Sequence, residues 1–94
     1  MIILRIEHKI TNYEGWKKVF DSDPIDRKKS GVKSYRIYKP TDDPNYIIID
    51  LEFEKVTEAE GALDSLRKLW SKVEGTVMFN PQTRIFNADD PVVL

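Results

Sequence analysis

Apolar side chains recur along this chain with two periods, every second residue in some stretches and every third or fourth in others, and the switches between them mark out six elements. Ile2-Ile3-Leu4-Arg5-Ile6-Glu7-His8 passes from an apolar run into alternation at Leu4, as a strand with one buried face does, and predicts a first strand over residues 1–9. Thr11 or Asn12 stands where a cap is needed for a helix carrying Tyr13, Trp16, Val19 and Phe20 on one face and ending near Asp21. Asp23-Pro24 has the form of a cap followed by proline at a first helical position, which predicts one more short helical turn over residues 24–29 before Gly31. Residues 32–39 alternate as a second strand, Pro40 and Asp42-Asp43-Pro44-Asn45 form a turn, and Tyr46–Phe53 reads as a third strand. Thr57 and Glu60 have capping-box spacing ahead of a helix on which Ala59, Ala62, Leu63, Leu66, Leu69, Trp70 and Val73 repeat at three and four residues. Gly75 is a natural stop for that helix. Residues 76–82, with Asn80-Pro81, read as a connection, and residues 83–87 as a short last strand.

The order strand, helix, strand, strand, helix, strand narrows the topology. Two right-handed crossovers joined by a hairpin favour a four-stranded antiparallel sheet in the order four, one, three, two, with both helices on one face. The class is α+β, ferredoxin-like, in one domain spanning residues 1–94. Strand parity then sorts the side chains. Leu4, Ile6, Ile47, Ile49, Leu51 and Phe53 should face the helices. Ile3, Arg5, Glu7, Ile48, Asp50 and Glu52 should face away, with Arg5 near Asp50 or Glu52. One register of the second strand adds Ser34, Arg36 and Tyr38 to the uncovered face, and the last strand adds Arg84 and Phe86.

Composition removes several kinds of chemistry. Fifteen basic and sixteen acidic residues leave a net charge of −1, which provides no general field for nucleic acid or an anionic membrane. An RNA-recognition sheet would carry aromatic residues on its central strands, where this chain has Arg5, Glu7, Asp50 and Glu52. Cysteine is absent, so disulfides, thiolate metal sites and cysteine nucleophiles are excluded. A single histidine makes a zinc site improbable, and Glu7, Asp50 and Glu52 would share their oxygens with Arg5 before any hard cation. No glycine-rich loop follows the first strand to cradle a phosphate. No apolar run approaches the length of a bilayer span, and a cytoplasmic protein without metal or cofactor is the expectation.

Several features together resemble one known group, the dimeric α/β-barrel superfamily with its antibiotic-biosynthesis-monooxygenase-like and cyclase-like members. They are the early strand ending in Glu7-His8, a first helix with Trp16 and Phe20, the Asp21-Ser22-Asp23-Pro24 break, the Asp42-Asp43-Pro44-Asn45-Tyr46 hairpin tip, and the second helix with Trp70. The resemblance covers almost the whole chain. It implies a homodimer whose sheets pack face to face into a barrel, with a small-molecule pocket at the barrel. It carries no universal catalytic set, and the Asn, Trp, Tyr and Arg constellation of the monooxygenase members has no matching positions here.

Candidate residues follow from chemistry. His8 is the only side chain with an ordinary pKa near neutrality, which makes it the candidate general base; a histidine at a strand end also commonly bonds nearby backbone. Arg5, Arg36, Asp50 and Glu52 are candidate ligand contacts, and Tyr35, Tyr38 and Tyr46 are candidate pocket residues, each bringing a flat surface and a polar tip. Trp16 and Trp70 read as core, Asp42-Asp43 as turn chemistry, and Arg27-Lys28-Lys29 as a solvated loop face. Two readings are left, a small-molecule-binding or structural dimer without turnover, and, as the resemblance implies, a cofactor-independent monooxygenase, isomerase or cyclase acting on a small aromatic or polyketide-like substrate. The tail, residues 88–94, ends in the apolar run Val92-Val93-Leu94 and is expected to pack on a partner or along a sheet edge.

Overall fold

Alternating apolar residues build a sheet whose buried side chains come almost entirely from two central strands. The computed structural model describes residues 1–73 and 78–94, in the order β1 (Ile2–Ile10), α1 (Tyr13–Asp21), β2 (Ser34–Tyr38), β3 (Tyr46–Phe53), α2 (Val56–Val73) and β4 (Met78–Asn87). The sheet runs β2-β3-β1-β4, antiparallel throughout. This is the topology expected from the element order, and Tyr46–Phe53 is the third strand as read. Leu4, Ile47 and Phe53 are fully buried, and Ile6, Ile49 and Leu51 are nearly so. They pack under Ala59, Ala62, Leu63 and Trp70 of α2 and Trp16 and Phe20 of α1. Burying each such large apolar side chain contributes about 1.5–3 kcal/mol before chain entropy is counted.

Local chemistry sets the ends of the elements. Asn12 caps α1, its side-chain oxygen accepting from the Gly15 N–H at 2.7 Å. At α2 the cap lies two residues earlier than the spacing of Thr57 and Glu60 indicates. Glu58 Oε1 accepts from the Lys55 N–H at 3.2 Å, and Ala59 N–H donates to Lys55 O to open the helix. Gly75, read as its stop, lies outside the described residues.

Two expectations give way. Residues 24–29 form turns and no helix, because Asp23 (φ 54°) and Asp26 (φ 52°) adopt left-handed backbone, which a right-handed helix cannot contain. The Asp23 carboxylate instead accepts from the Arg27 N–H at 2.8 Å. The last strand begins at Met78, five residues before the expected start, and runs through Asn80-Pro81. The register against β1 shifts between Glu7 and Lys9, with Asn80 at φ 52°, so Asn80-Pro81 forms a bulge opposite His8. A proline is tolerated there because β4 is an edge strand whose bulge has no ladder N–H to supply.

Candidate functional site

The sheet divides the sequence-derived candidates between two faces. Arg5, Arg36, Tyr38, Asp50 and Glu52 lie on the face that no helix covers, since Arg5 pairs with Asp50, Arg36 with Asp50, Ser34 with Glu52 and Tyr38 with Ile48. His8 and Tyr35 lie on the other face. Parity places His8 in series with Leu4 and Ile6, and it is buried at 2% exposure. Of the candidates, His8 is therefore joined by Tyr35 and separated from Arg5 and Tyr38: a strand that turns Arg5 outward must turn His8 inward.

On the uncovered face, Arg5 Nε and Nη2 donate to the two oxygens of Asp50 at 2.7 and 2.8 Å. Tyr38 and Phe86 place their rings 5.8 and 5.4 Å from the guanidinium carbon. The Asp50 carboxylate raises the pKa of Arg5 above its already high ordinary value. Tyr46 donates to Glu7 Oε1 at 2.7 Å, and this bond pushes the phenol's pKa up to about 12. Ser34 donates to Glu52. Arg84 faces Arg5 across β4, beside Gln82, Glu7 and Phe86, and these side chains border an open depression.

Between the sheet and the helices lies a cleft of about 90 Å³. Its wall is apolar, from Ile6, Ile49 and Leu51 of the sheet, Trp16, Val19 and Phe20 of α1, Pro24 and Ile25 of the following turn, Leu66, Leu69 and Trp70 of α2, and Met78 of β4. Among the described lining residues, His8 and Arg27 bring ionisable heads to it, and Trp16 and Trp70 carry indole N–H groups. The aromatic rings form a series, with Trp16 stacked on Phe20 at 5.0 Å and 13°, Phe20 edge-on to Tyr35 at 4.9 Å, and His8 tilted 6.3 Å from Trp16.

His8 Nδ1 stands 3.1 Å from the Lys9 carbonyl oxygen. A carbonyl only accepts, so Nδ1 carries the proton and Nε2 carries the lone pair. Nε2 has no hydrogen-bond partner among the described residues, and no sealed-off polar atom among them lacks one; Nε2 therefore keeps some accessible surface, on a residue that lines the cleft. Burial lowers the pKa of His8, opposed by the Lys9 bond, so the ring is neutral near pH 7.

Arg27, read as part of a solvated loop, is instead largely covered. Nη1 donates to Phe20 O at 2.7 Å, the guanidinium lies 4.1 Å over the Phe20 ring and 5.1 Å from that of Tyr35, and Nε stands 3.5 Å from Asp23. The signal that separates it from Lys28 and Lys29 is Asp23, four residues earlier. At the hairpin tip, Asp43 accepts from the Asn45 N–H at 3.0 Å, a turn bond. Among the described residues no group of three or more histidine, aspartate or glutamate side chains is placed to hold a metal ion, and no helix is long and apolar enough to cross a membrane.

The architecture and its one-sided helical cover define a ferredoxin-like α+β protein. No protein-family model matches the chain, and no curated protein matches it. Among solved structures it is similar to SnoaB, a cofactor-independent oxygenase from Streptomyces nogalater, with a TM-score of 0.75 and 11% identity over 97% of this chain and 95% of that one. It is also similar to a dimeric ferredoxin-like protein from an uncultured marine organism, with a TM-score of 0.65 and 9% identity over 97% of each chain. A protein of unknown function from Nitrosomonas europaea aligns with a TM-score of 0.71 and 13% identity, over 98% of this chain and 95% of that one. At these identities the likeness carries the fold, and function must be argued from the site.

Proposed function

We propose that this chain is a homodimeric small-molecule-binding protein whose ligand occupies the cleft between sheet and helices. The observation that carries the reading is His8 on the largely apolar wall of the cleft, with one nitrogen held by backbone and the other without a partner among the described residues. Ligand sites have this composition, an apolar wall with few polar groups that set orientation. A chain serving only stability has little reason to keep a histidine nitrogen unpaired at that depth.

The uncovered sheet face is the dimer surface in this proposal. Arg5, Arg36 and Arg84 balance Glu7, Asp50 and Glu52, so a second copy meets it without net repulsion, and a dimeric neighbour supports the arrangement. In that dimer Arg5, Arg36, Tyr38, Asp50 and Glu52 face the barrel interior. The experiment is a ¹H–¹⁵N titration of the protein with single-ring aromatic compounds. Shifts confined to residues around His8, Trp16 and Trp70 are expected; shifts scattered over the surface, or none, would remove the reading.

A second reading is a cofactor-independent oxygenase, favoured by the likeness to SnoaB and by the lone pair on His8 Nε2, which is placed to take a proton from a bound substrate. Dioxygen consumption with candidate substrates, abolished in a folded His8→Gln variant, separates it from binding without turnover.

A further inference from the structure

At His8 the cleft accepts a hydrogen bond and does not donate one. With Nδ1 donating to Lys9 O, a neutral His8 offers its second nitrogen only as an acceptor. A ligand that also presents an acceptor, such as a carboxylate, meets a lone pair there, and protonating the ring to remove that clash places a charge among apolar side chains. The ionisable head of Arg27 is already engaged, donating to Phe20 O and lying over the Phe20 ring beside Asp23.

Shape narrows the ligand further. Trp16 and Phe20, stacked on each other at 13°, both belong to the apolar wall. The space is about 90 Å³, against roughly 150 Å³ for an enclosed apolar cavity that takes benzene. One ring fits if its far edge stays in the open mouth, and a second fused ring must stand outside.

We infer that the cleft selects a single-ring phenol, its ring against the apolar wall and its hydroxyl donating to Nε2 of His8. This deepens the small-molecule reading above and rests on it. The phenol donates where the site accepts, and it remains uncharged near neutral pH, so it enters without the desolvation that an anion or ammonium must undergo.

The test compares three probes of similar size on the wild-type protein, phenol, methoxybenzene and benzoate, by ¹⁵N-detected titration of the His8 ring and backbone shifts. Phenol is expected to bind about fivefold or more tightly than methoxybenzene, the ratio for one neutral hydrogen bond, and to move the Nε2 resonance while leaving Nδ1 protonated. In His8→Phe that preference should vanish. Equal binding of phenol and methoxybenzene to the wild type would overturn the inference and leave the cleft reading standing. Tightest binding by benzoate would also overturn it, transferring recognition to Arg27. If none of the three perturbs the cleft, both the inference and the reading beneath it fall. The wild-type comparison decides between these outcomes even if the variant does not fold.

Discussion

Arg5 and Asp50 stand directly opposite each other on β1 and β3 and close a two-point contact, Nε to Oδ1 at 2.7 Å and Nη2 to Oδ2 at 2.8 Å. Asp50 is largely covered while Arg5 keeps 40% of its side chain exposed, so the pair is an asymmetric one. Bidentate geometry strengthens it and solvent on the arginine side weakens it. Asp50→Ala is expected to lower stability by about 1 kcal/mol in urea unfolding, and Arg5→Ala in that background to add little. Asp50→Lys places like charges across the register and should shift sedimentation from dimer to monomer. A wild-type chain that sediments as a well-folded monomer at micromolar concentration would sink the dimer.

Tyr46→Phe removes the bond to Glu7 and should cost about 1 kcal/mol at neutral pH. The folded phenol holds its proton to about 12, whereas an unfolded tyrosine releases it near 10. The contribution is therefore complete below about pH 10 and is lost as pH rises through about 12. Urea midpoints of wild type and variant should converge on going from pH 8 toward pH 12; a constant gap would remove the bond as its source.

His8 supplies a change at the opposite end of the scale. Its folded pKa lies below the unfolded value of about 6.5, so the unfolded chain binds the extra proton and stability falls as pH drops below that point, levelling off once the folded ring is also protonated. The difference between wild type and His8→Gln isolates this from the carboxylates. That difference should be flat above pH 7 and shift against the wild type by pH 5.

Two glycines should respond in opposite directions to alanine. Gly31 has φ 96°, and a Cβ there would stand 2.6 Å from Glu58 Oε2, the carboxylate that caps α2. Gly31→Ala is expected to cost about 1–3 kcal/mol. Gly61 lies on the exposed side of α2 with nothing within 4 Å of its added Cβ, and Gly61→Ala should stabilise by about 0.5–1 kcal/mol. Thermal melts of the two variants should move apart around the wild type.

The tail offers a separate check on association. Ala88 still pairs with Met1, its N–H donating at 2.9 Å, but Val92, Val93 and Leu94 expose 81%, 96% and 115% of their surfaces. Removing residues 90–94 should raise the dimer dissociation constant while leaving the urea unfolding of the monomer unchanged. An unaltered dimer would refute a role for the tail in pairing.

What could be read from residues alone was whatever repeats. Two-residue alternation placed Leu4, Ile6 and Ile49 on one side and Arg5 and Asp50 on the other, and three- and four-residue spacing placed Trp16 and Trp70 in the core. Single backbone conformations were not legible. The left-handed aspartates at 23 and 26 ended a helical expectation that proline had raised, and proline also concealed the first half of β4, because a bulge on an edge strand does not announce itself in side-chain type. The candidate site was half visible. His8 was chosen for its chemistry, but alternation already put it opposite Arg5. Arg27 was missed because its cover comes from Phe20 and Tyr35, residues distant from its charged neighbours in sequence.

The bulge at Asn80-Pro81 puts two residues of β4 against the single position of His8. Upstream of it Met78 meets the buried Ile10, and downstream Ile85 meets the buried Leu4, so both halves of the strand keep their apolar side chains inward across the extra residue. Deleting one bulge residue would bring both halves of β4 into a single regular register, with Met78 still against Ile10 and Ile85 still against Leu4, and would remove the bend beside His8. The bend of β4 beside His8 is therefore set by residue number rather than residue type: one residue fewer leaves a straight ladder there, whichever side chains it carries.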